Sequence, residues 1–582
     1  MGGNDLERDR GRGGMAARIL LLLALTHVAA VRLSWNDIPL QNDTGLFSYI
    51  GWRMLHGDRL YVDLWECKPP GIYFVFAGCV AMDRAGGDRV AFWLDGALSA
   101  AVLLLTYRLA RRFASPAASA AATLAASIVF CHRVLADWGD NVEKFVALFD
   151  VLALMLLMHG ESRGGRSAEW FAAGVCAGLG GLFKQTAVFF PAAAVLWLIA
   201  GVVGRRLTRN AALRRAALLF TGALAPWLVF IMWMWADGLL AAFFWQTIAY
   251  EWRRVASTQL EAPQLLTPTH WRHAWSQIEL AGILLLPAAA GAAVQAARAV
   301  RRFGTTAAET REITSLIHVL WIIGVAGFAL TPFGYGHYLL QAVPAAAVAA
   351  AMGLTWVAVL WSDRKTAPNT QQEAGRVSGM HGVFVRRVAV MACGAAWMAS
   401  WLPLRDQLSF TFNPDAPARL AYAWQRLRTD ALLAAIDAHT RPQDAVLLWP
   451  TDYGLNYYAQ RVSPFHVANA DVIFKGKFYR LDPPLAELLE HLKKDPPAVL
   501  ADRSVWLEPD PHDPTGVAPR VATPDDGMSL LSPPNAAHAN PVTRELAPLL
   551  EWVRAHYGRP VFAGGAVFLH YGGQWSDDVV IK

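Results

Sequence analysis

Between Leu40 and Tyr73 the chain reads LQNDTGLFSYIGWRMLHGDRLYVDLWECKPPGIY. In close succession it carries an acidic residue in a turn, Asp43, an amphipathic helix over Leu46 to Leu55, a His-Gly-Asp break and the stiff Lys68-Pro69-Pro70-Gly71 tetrad. A loop constrained only by solubility rarely combines so many rigid, charged and aromatic residues. Asp43 has an ordinary explanation as an N-cap, because a carboxylate at a helix start satisfies free backbone N–H groups. Glu66 and Lys68 flank Cys67, and the proline pair fixes the backbone direction beyond them. Their ordinary explanation is a solvated charge pair.

Other polar residues punctuate apolar runs further along. Asp137, Asp140, Asn141 and Glu143 gather at one border, and Glu143 enters the run, where an ionisable group is costly. Lys184-Gln185 interrupts two runs; snorkelling and anion binding account for it equally well. His337-Tyr338, with Gln341 one helical turn on, places three polar side chains on one face of a span, although a lone His is more often satisfied in a core. Asp, Lys, His and Tyr residues beside lipid suit one reaction type. A lipid-linked phosphosugar presents an anionic leaving group at the membrane surface; a carboxylate deprotonates the acceptor hydroxyl, and cationic and hydrogen-bonding groups stabilise the phosphate as its bond to sugar breaks. A nucleotide-sugar donor is disfavoured, because GLGGLFKQT at Gly178 does not fit G-x-x-x-x-G-K-[ST] and lies in a span.

The elements that must position these residues follow from composition. With 582 residues, 55% of them hydrophobic and 17% charged, and a mean hydropathy of +0.28, the chain is too apolar for a soluble protein of its size. It reads as an α-helical polytopic membrane protein. Lys and Arg number 52 against 46 Asp and Glu, leaving +6, but the Arg residues cluster between apolar runs. That placement orients spans in a membrane and implies no nucleic-acid partner. Five Cys are an odd number without paired spacing, so neither a disulfide scaffold nor zinc is expected; Cys67 reads as a packed small residue.

A span needs roughly 20 apolar residues, and about eleven such runs occur before Leu404. They begin with Met15–Leu33, read as an uncleaved first span although its basic start resembles a signal peptide. They continue through Val90–Leu109, Pro116–Leu135, Val142–His159, Ala168–Phe183, Thr186–Val203, Ala216–Trp235, Ile278–Ala297, Leu316–Thr331, Tyr338–Trp361 and Val383–Leu402. Gly71–Met82 is too short and is expected to lie on the outer surface. With that assignment the Arg clusters fall inside, the N-terminus is cytoplasmic, and the loop at Leu40, Asp137–Lys144, Lys184–Gln185, Ala236–Gln277 and Pro332–His337 share the outer face. Residues 1–403 are therefore expected to form a transmembrane domain. Residues 404–582 are expected to form an extracytoplasmic α/β domain, with helices near Pro417–His439, Pro484–Leu492 and Arg544–His556, strands at Ala445–Trp449, Ala498–Ala501 and Pro560–Tyr571, and a long loop over Glu508–Pro541.

In order along the chain, DTGLFSYIGWRMLHGDRLYVDLWECKPPGIYF, DNVEKFVALF at Asp140, GLFKQTAVFF at Gly181 and GHYLLQAVP at Gly336 resemble the motifs of the GT-C superfold glycosyltransferases. Within these the chain is most similar to the group of rhizobial lipopolysaccharide galacturonosyltransferases, related to lipid A aminoarabinose transferase and protein O-mannosyltransferases. The resemblance implies that Asp43 is the catalytic base and that Lys68, His337 and Tyr338 contact the donor phosphate; by their own placement Glu66, Asp140, Asn141, Glu143, Lys184 and Gln185 are further candidates for substrate binding. It implies a polyprenyl-phosphate sugar as co-substrate, an inverting transfer to a lipid, glycan or protein acceptor, and a bacterial cytoplasmic membrane location with the C-terminal domain periplasmic. No cofactor is required by the sequence. Divalent-metal use stays open, because some relatives carry Asp-Glu where this chain has Asp43 alone. The alternatives are a lipid or glycan transporter, for which inverted repeats and mid-membrane charges are expected, and a membrane scaffold that presents the C-terminal domain.

Overall fold

The structure, a computed structural model, describes residues 3–35, 39–40, 42–83, 89–136, 141–163, 166–253, 256, 266–301, 309–331, 335–362, 405–449, 452–465, 485–509, 519–522, 529–532, 547–576 and 579–581. In chain order its main helices are α1 (Gly3–Trp35), α2 (Asn42–Leu55), α3 (Gly71–Met82), α4 (Arg89–Ala110), α5 (Pro116–Phe130), α6 (Val142–Glu161), α7 (Ser167–Gly181), α8 (Phe189–Val203) and α9 (Arg209–Ala236). These are followed by α10 (Pro268–Leu280), α11 (Gly282–Arg301), α12 (Glu309–Ala329), α13 (Val343–Ser362), α14 (Arg405–Phe412), α15 (Pro417–His439), α16 (Tyr453–Ala459), α17 (Leu485–Lys494) and α18 (Ala547–His556).

Contacts divide the chain into two compact units. One comprises Met1–Asn36, Phe92–Met232 and Leu265–Pro414; the other comprises Asp37–Ala91, Trp233–Gln264 and Asp415–Lys582. In the first unit α1 packs along α5, α6 along α7 and α11 along α13. Small residues permit the closest crossings: a Cβ on Gly174 would lie 2.2 Å from Leu219 O, and one on Gly222 would lie 2.1 Å from Phe171 O. Such contacts replace the hydrophobic drive that lipid surroundings remove.

Among the described residues, five helical stretches are long and apolar enough to cross a membrane: Gly14–Trp35, Arg89–Ala110, Gln185–Val203, Arg209–Ala236 and Gly336–Ala358. Pro268–Leu280 with Gly282–Ala293 forms a sixth candidate bent by 87°. Several expected runs are helical but too short alone for about 30 Å of hydrocarbon at 1.5 Å per residue: Pro116–Phe130 and Ser315–Ala329, and α7, with 15 residues. Val142–Glu161 is long enough but carries Glu143, Lys144, Asp150 and Glu161. Val383–Leu402 lies outside the described residues. Gly71–Met82 is a 12-residue helix, shorter than a span.

Ala236–Gln277, expected as a loop, is helical over much of its described length. Leu240–Phe243 leads into a π-helix, Phe244–Tyr250, and α10 starts at Pro268, where Thr267 accepts a hydrogen bond from His270 N. Proline at the first helical position and a hydroxyl cap are favourable start signals. A search for apolar runs of span length passes over helices this short.

The second unit carries a five-stranded sheet ordered β1-β2-β6-β5-β7, built from β1 (Val446–Trp449), β2 (Val499–Asp502), β5 (Tyr557–Ala563), β6 (Ala566–Tyr571) and β7 (Val580–Ile581). β1 and β2 are parallel, whereas β2–β6 and β6–β5 are antiparallel. The stretch expected as one strand over Pro560–Tyr571 is a hairpin, turned at Gly564-Gly565 with φ of +57° and +83°, a conformation that glycine adopts without strain. Within the expected Glu508–Pro541 loop, β4 (Pro519–Ala522) pairs with β3 (Trp506–Pro509). Burial pushes the Asp502 carboxyl up from its ordinary value, against the hydrogen bonds it accepts from Ser504, Ser529 and Leu530 N.

The sheet's core extends to residues far away in sequence. Trp65, Cys67 and Tyr250 bury themselves with Trp449, Leu488 and Phe562. α16 packs on α2, with Tyr49 and Tyr453 rings 5.1 Å apart, and the Tyr49 hydroxyl accepts from Ser463 N at 2.9 Å. Burial pushes that phenol up to about 12. The helices touch at glycines, since a Cβ on Gly45 would sit 2.7 Å from Gly454 Cα. Gly45→Val is therefore expected to cost about 1–3 kcal/mol by overpacking, seen as a lower thermal midpoint in detergent. An unchanged midpoint would refute the close crossing.

Candidate active site

In the second unit α2 and α3 lie side by side. Phe47 meets Tyr73 and Phe76 edge-on, at 5.8 and 5.3 Å between ring centroids, and a Cβ on Gly51 would lie 2.6 Å from Ala77 N. Contacts that advance together along both helices mean that the two run in the same direction. Their N-termini thus lie at one end, where both helix dipoles favour negative charge. Asp43 stands in the first turn of α2, so it lies just inside the helix rather than capping it. α3 has Pro70 at its N-cap and no side-chain cap.

Lys68, one residue before the proline pair, brings its Nζ to 3.4 Å from Asp43 Oδ1, with the side chains 19% and 38% exposed. The ammonium also lies 5.2 Å from the Phe47 ring centroid and 3.9 Å from Glu66 Oε1. Glu66 is fully buried and accepts from Cys67 N and Sγ at 2.7 and 3.2 Å, whereas its Oε2 has no hydrogen-bond partner. Gln246, from the π-helix, accepts from Glu66 N at 3.0 Å and donates to Tyr61 O at 2.6 Å. Tyr61, held at φ +69°, donates to Lys68 O at 2.8 Å; burial pushes its hydroxyl well above the ordinary phenol value. Asp43, Glu66 and Lys68 thus come together, locked by two residues that the sequence did not single out.

The first unit gathers a second group. Lys184, at the break between α7 and α8, donates a short hydrogen bond to Glu143 Oε1. His337 Nε2 lies 3.7 Å from the same oxygen, and Glu143 Oε2 has no partner. The Lys184 ammonium sits 3.6 Å from the Tyr338 ring centroid, and His337 stacks on Tyr335 at 5.5 Å. His337, Tyr338 and Gln341 belong to a 3-10 turn, Gly336–Ala342, and not to a regular α-helical face. Even so, Gln341 reaches α6 like His337, donating to Asp150 Oδ2 at 3.0 Å and to Thr186 O at 3.1 Å. Asp150 and Gln341 line a cavity otherwise walled by apolar residues, among them Leu109, Phe189 and Leu320.

Asn141, buried at the start of α6, makes no side-chain cap, and its Oδ1 has no partner. Gln185 is exposed; Asp137 and Asp140 lie outside the described residues. Asp95, Lys144 and Asp150 were missed, although a signal existed: each is an ionisable residue inside an apolar run. Among the described residues no group of three or more His, Cys, Asp and Glu is placed to hold a metal ion.

Residues 67–233 match the family described as dolichyl-phosphate-mannose-protein mannosyltransferase. A dolichol phosphate-mannose mannosyltransferase of Haloferax volcanii is 26% identical over 195 residues, a match that spans 33% of this chain and 40% of that relative's length. Among solved structures, ArnT from Cupriavidus metallidurans bound to undecaprenyl phosphate superposes with a TM-score of 0.52 at 15% identity, covering 94% of this chain and 97% of that one. At such low identity this last likeness concerns the fold.

Proposed function

We propose that this chain, which carries the GT-C superfold of polyprenyl-phosphate-sugar glycosyltransferases, is an inverting glycosyltransferase. It moves a sugar from a polyprenyl-phosphate donor to a lipid, glycan or protein of the cell envelope at the outer face of the membrane. The observation that carries this is the pairing of Asp43 and Lys68, 3.4 Å apart at the joined N-termini of α2 and α3. Asp43 takes the proton of the acceptor hydroxyl as that oxygen bonds to the anomeric carbon. The bond from that carbon to the phosphate oxygen breaks on the opposite face, and the electron pair leaves with the polyprenyl phosphate. Lys68 and the helix dipoles stabilise the charge that develops there. A pair this exposed is held by about 0–1 kcal/mol, so Lys68 can exchange Asp43 for phosphate at little cost. By resemblance His337 and Tyr338 are further candidates for phosphate contact, and within the first unit they stand with Lys184 and Glu143. No observation favours a transporter.

The test is a comparison of envelope glycolipids and glycoproteins by mass spectrometry in cells with and without the protein. A missing glycosyl increment in its absence is expected; identical profiles, together with no turnover of polyprenyl-phosphate sugar in nanodiscs, would refute the assignment. Orientation is tested separately. Single-cysteine labelling of intact cells should reach position 68 and the neighbourhood of Tyr453 but not Arg206, because arginine clusters stay cytoplasmic. Labelling of positions 68 and 206 from the same side would overturn the outer-face site.

A further inference from the structure

Three charged residues that the proposed chemistry leaves unused meet inside the first unit. Asp95, in the second turn of α4, accepts from Lys144 Nζ with both oxygens, at 2.7 and 2.8 Å, and pairs with Arg32 Nη1 at 2.9 Å. All three side chains are at most 2% exposed. Arg32 stands near the end of α1, its guanidinium 4.3 Å from the Trp35 ring centroid. Gly96 leaves room for it, since a Cβ there would approach Arg32 Cγ to 3.1 Å. Two cations thus share one carboxylate, and Arg32 Nε and Nη2 have no hydrogen-bond partner. As a stability device this is poor, because buried ion groups repay their desolvation badly and apolar replacements are often as stable or more so. An arrangement this costly in a membrane segment points to a task.

Lys144 is the neighbour of Glu143 in the first turn of α6. That turn is buried, with Lys144 N donating to Asn141 O at 3.0 Å, but Asn141 supplies no side-chain cap. Successive residues on a helix point about 100° apart, so seating Lys144 on Asp95 fixes the rotation of the turn and thereby the direction of Glu143. We infer that Arg32, Asp95 and Lys144 form a positioning triad, which anchors the first turn of α6 and so holds the Glu143–Lys184–His337 group in shape to receive the phosphate of the lipid-linked donor. The phosphate part rests on the proposed function; the anchoring part does not.

The experiment uses the full chain in nanodiscs with undecaprenyl phosphate as the probe, read through the rise in melting temperature that it causes. The variant Arg32→Met/Asp95→Leu/Lys144→Met, in which no charge is left unpaired, should melt without ligand at or above the wild-type temperature. It should bind the probe about tenfold more weakly. Asp95→Glu keeps all charges but shifts both cations, and should weaken binding in the same sense should the triple variant fail to fold. In a Lys184→Met background the triad substitutions should add nothing further, as coupled residues do and independent ones do not. Amide exchange over residues 142–146 should quicken in the triad variants while the rest of α6 is unchanged. Wild-type binding by a folded triad variant, or additive losses with Lys184→Met, would overturn the donor link. Unchanged exchange at the start of α6 would overturn the anchor, whatever the binding data. A wild-type chain that binds no undecaprenyl phosphate overturns the donor link together with the function on which it rests, and the exchange comparison then decides the anchor alone.

Discussion

Asp43→Asn is expected to lose roughly 10²–10⁴-fold in sugar transfer while its folding and donor binding persist. The substitution is nearly isosteric, so it removes the proposed proton acceptor and little else. The structural contribution of Asp43 is small in any case: it stands in the first turn of α2, where a carboxylate is worth about 0.3–1 kcal/mol against the helix dipole. Its ion pair with Lys68, 38% exposed on the Asp43 side, adds no more than about 1 kcal/mol. Measured with polyprenyl-phosphate sugar in nanodiscs, a stable Asn variant that transfers at the wild-type rate would return Asp43 to a merely structural place. A loss of activity accompanied by a large fall in melting temperature would also count against the base, because the geometry gives no reason for it.

The second large effect is expected at the cations. On the proposed mechanism Lys68→Ala removes a charged hydrogen-bond donor to the leaving phosphate, worth about 1.5–3 kcal/mol, or roughly tenfold to a hundredfold in donor use. The same range is expected for His337→Ala. Both should also lower stability. Lys68 lies 3.9 Å from the fully buried Glu66 carboxylate, so its loss should lower the melting temperature. His337 stacks on Tyr335 and lies 3.7 Å from a buried carboxylate, so its loss should lower the melting temperature. Two variants that express normally and turn over donor at wild-type rates would remove the phosphate site from both positions.

The acidic, basic and aromatic residues of the KPP and HY segments were legible because chemistry needs particular side chains, and Lys-Pro-Pro or His-Tyr at a membrane border is hard to explain by solubility alone. The apolar runs were legible for the same kind of reason: hydrocarbon demands them. Less legible were the short helices of Ala236–Gln277, which carry neither a run of span length nor a clear amphipathic repeat. Gln246 and Tyr61 were invisible too. Gln246 lies in a stretch read as a loop, and Tyr61 matters through a backbone bend and the direction of its hydroxyl, which no spacing announces.

What the sequence by itself determined is therefore the inventory: a polytopic membrane chain, the GT-C motifs in order, and the residue types fit for base and phosphate chemistry. These depend on local identity and on hydropathy over a few turns. What only the tertiary structure decided is partnership. That Lys68 stands against Asp43, 25 residues away, follows from two helices packed in the same direction at Phe47 and Gly51. That Lys184 is held by Glu143, and Lys144 by Asp95, follows from the rotation of α6 about its own axis. Such pairings are set by which faces bury together. Neighbouring residues on one helix, such as Glu143 and Lys144, receive different partners only once that rotation is fixed.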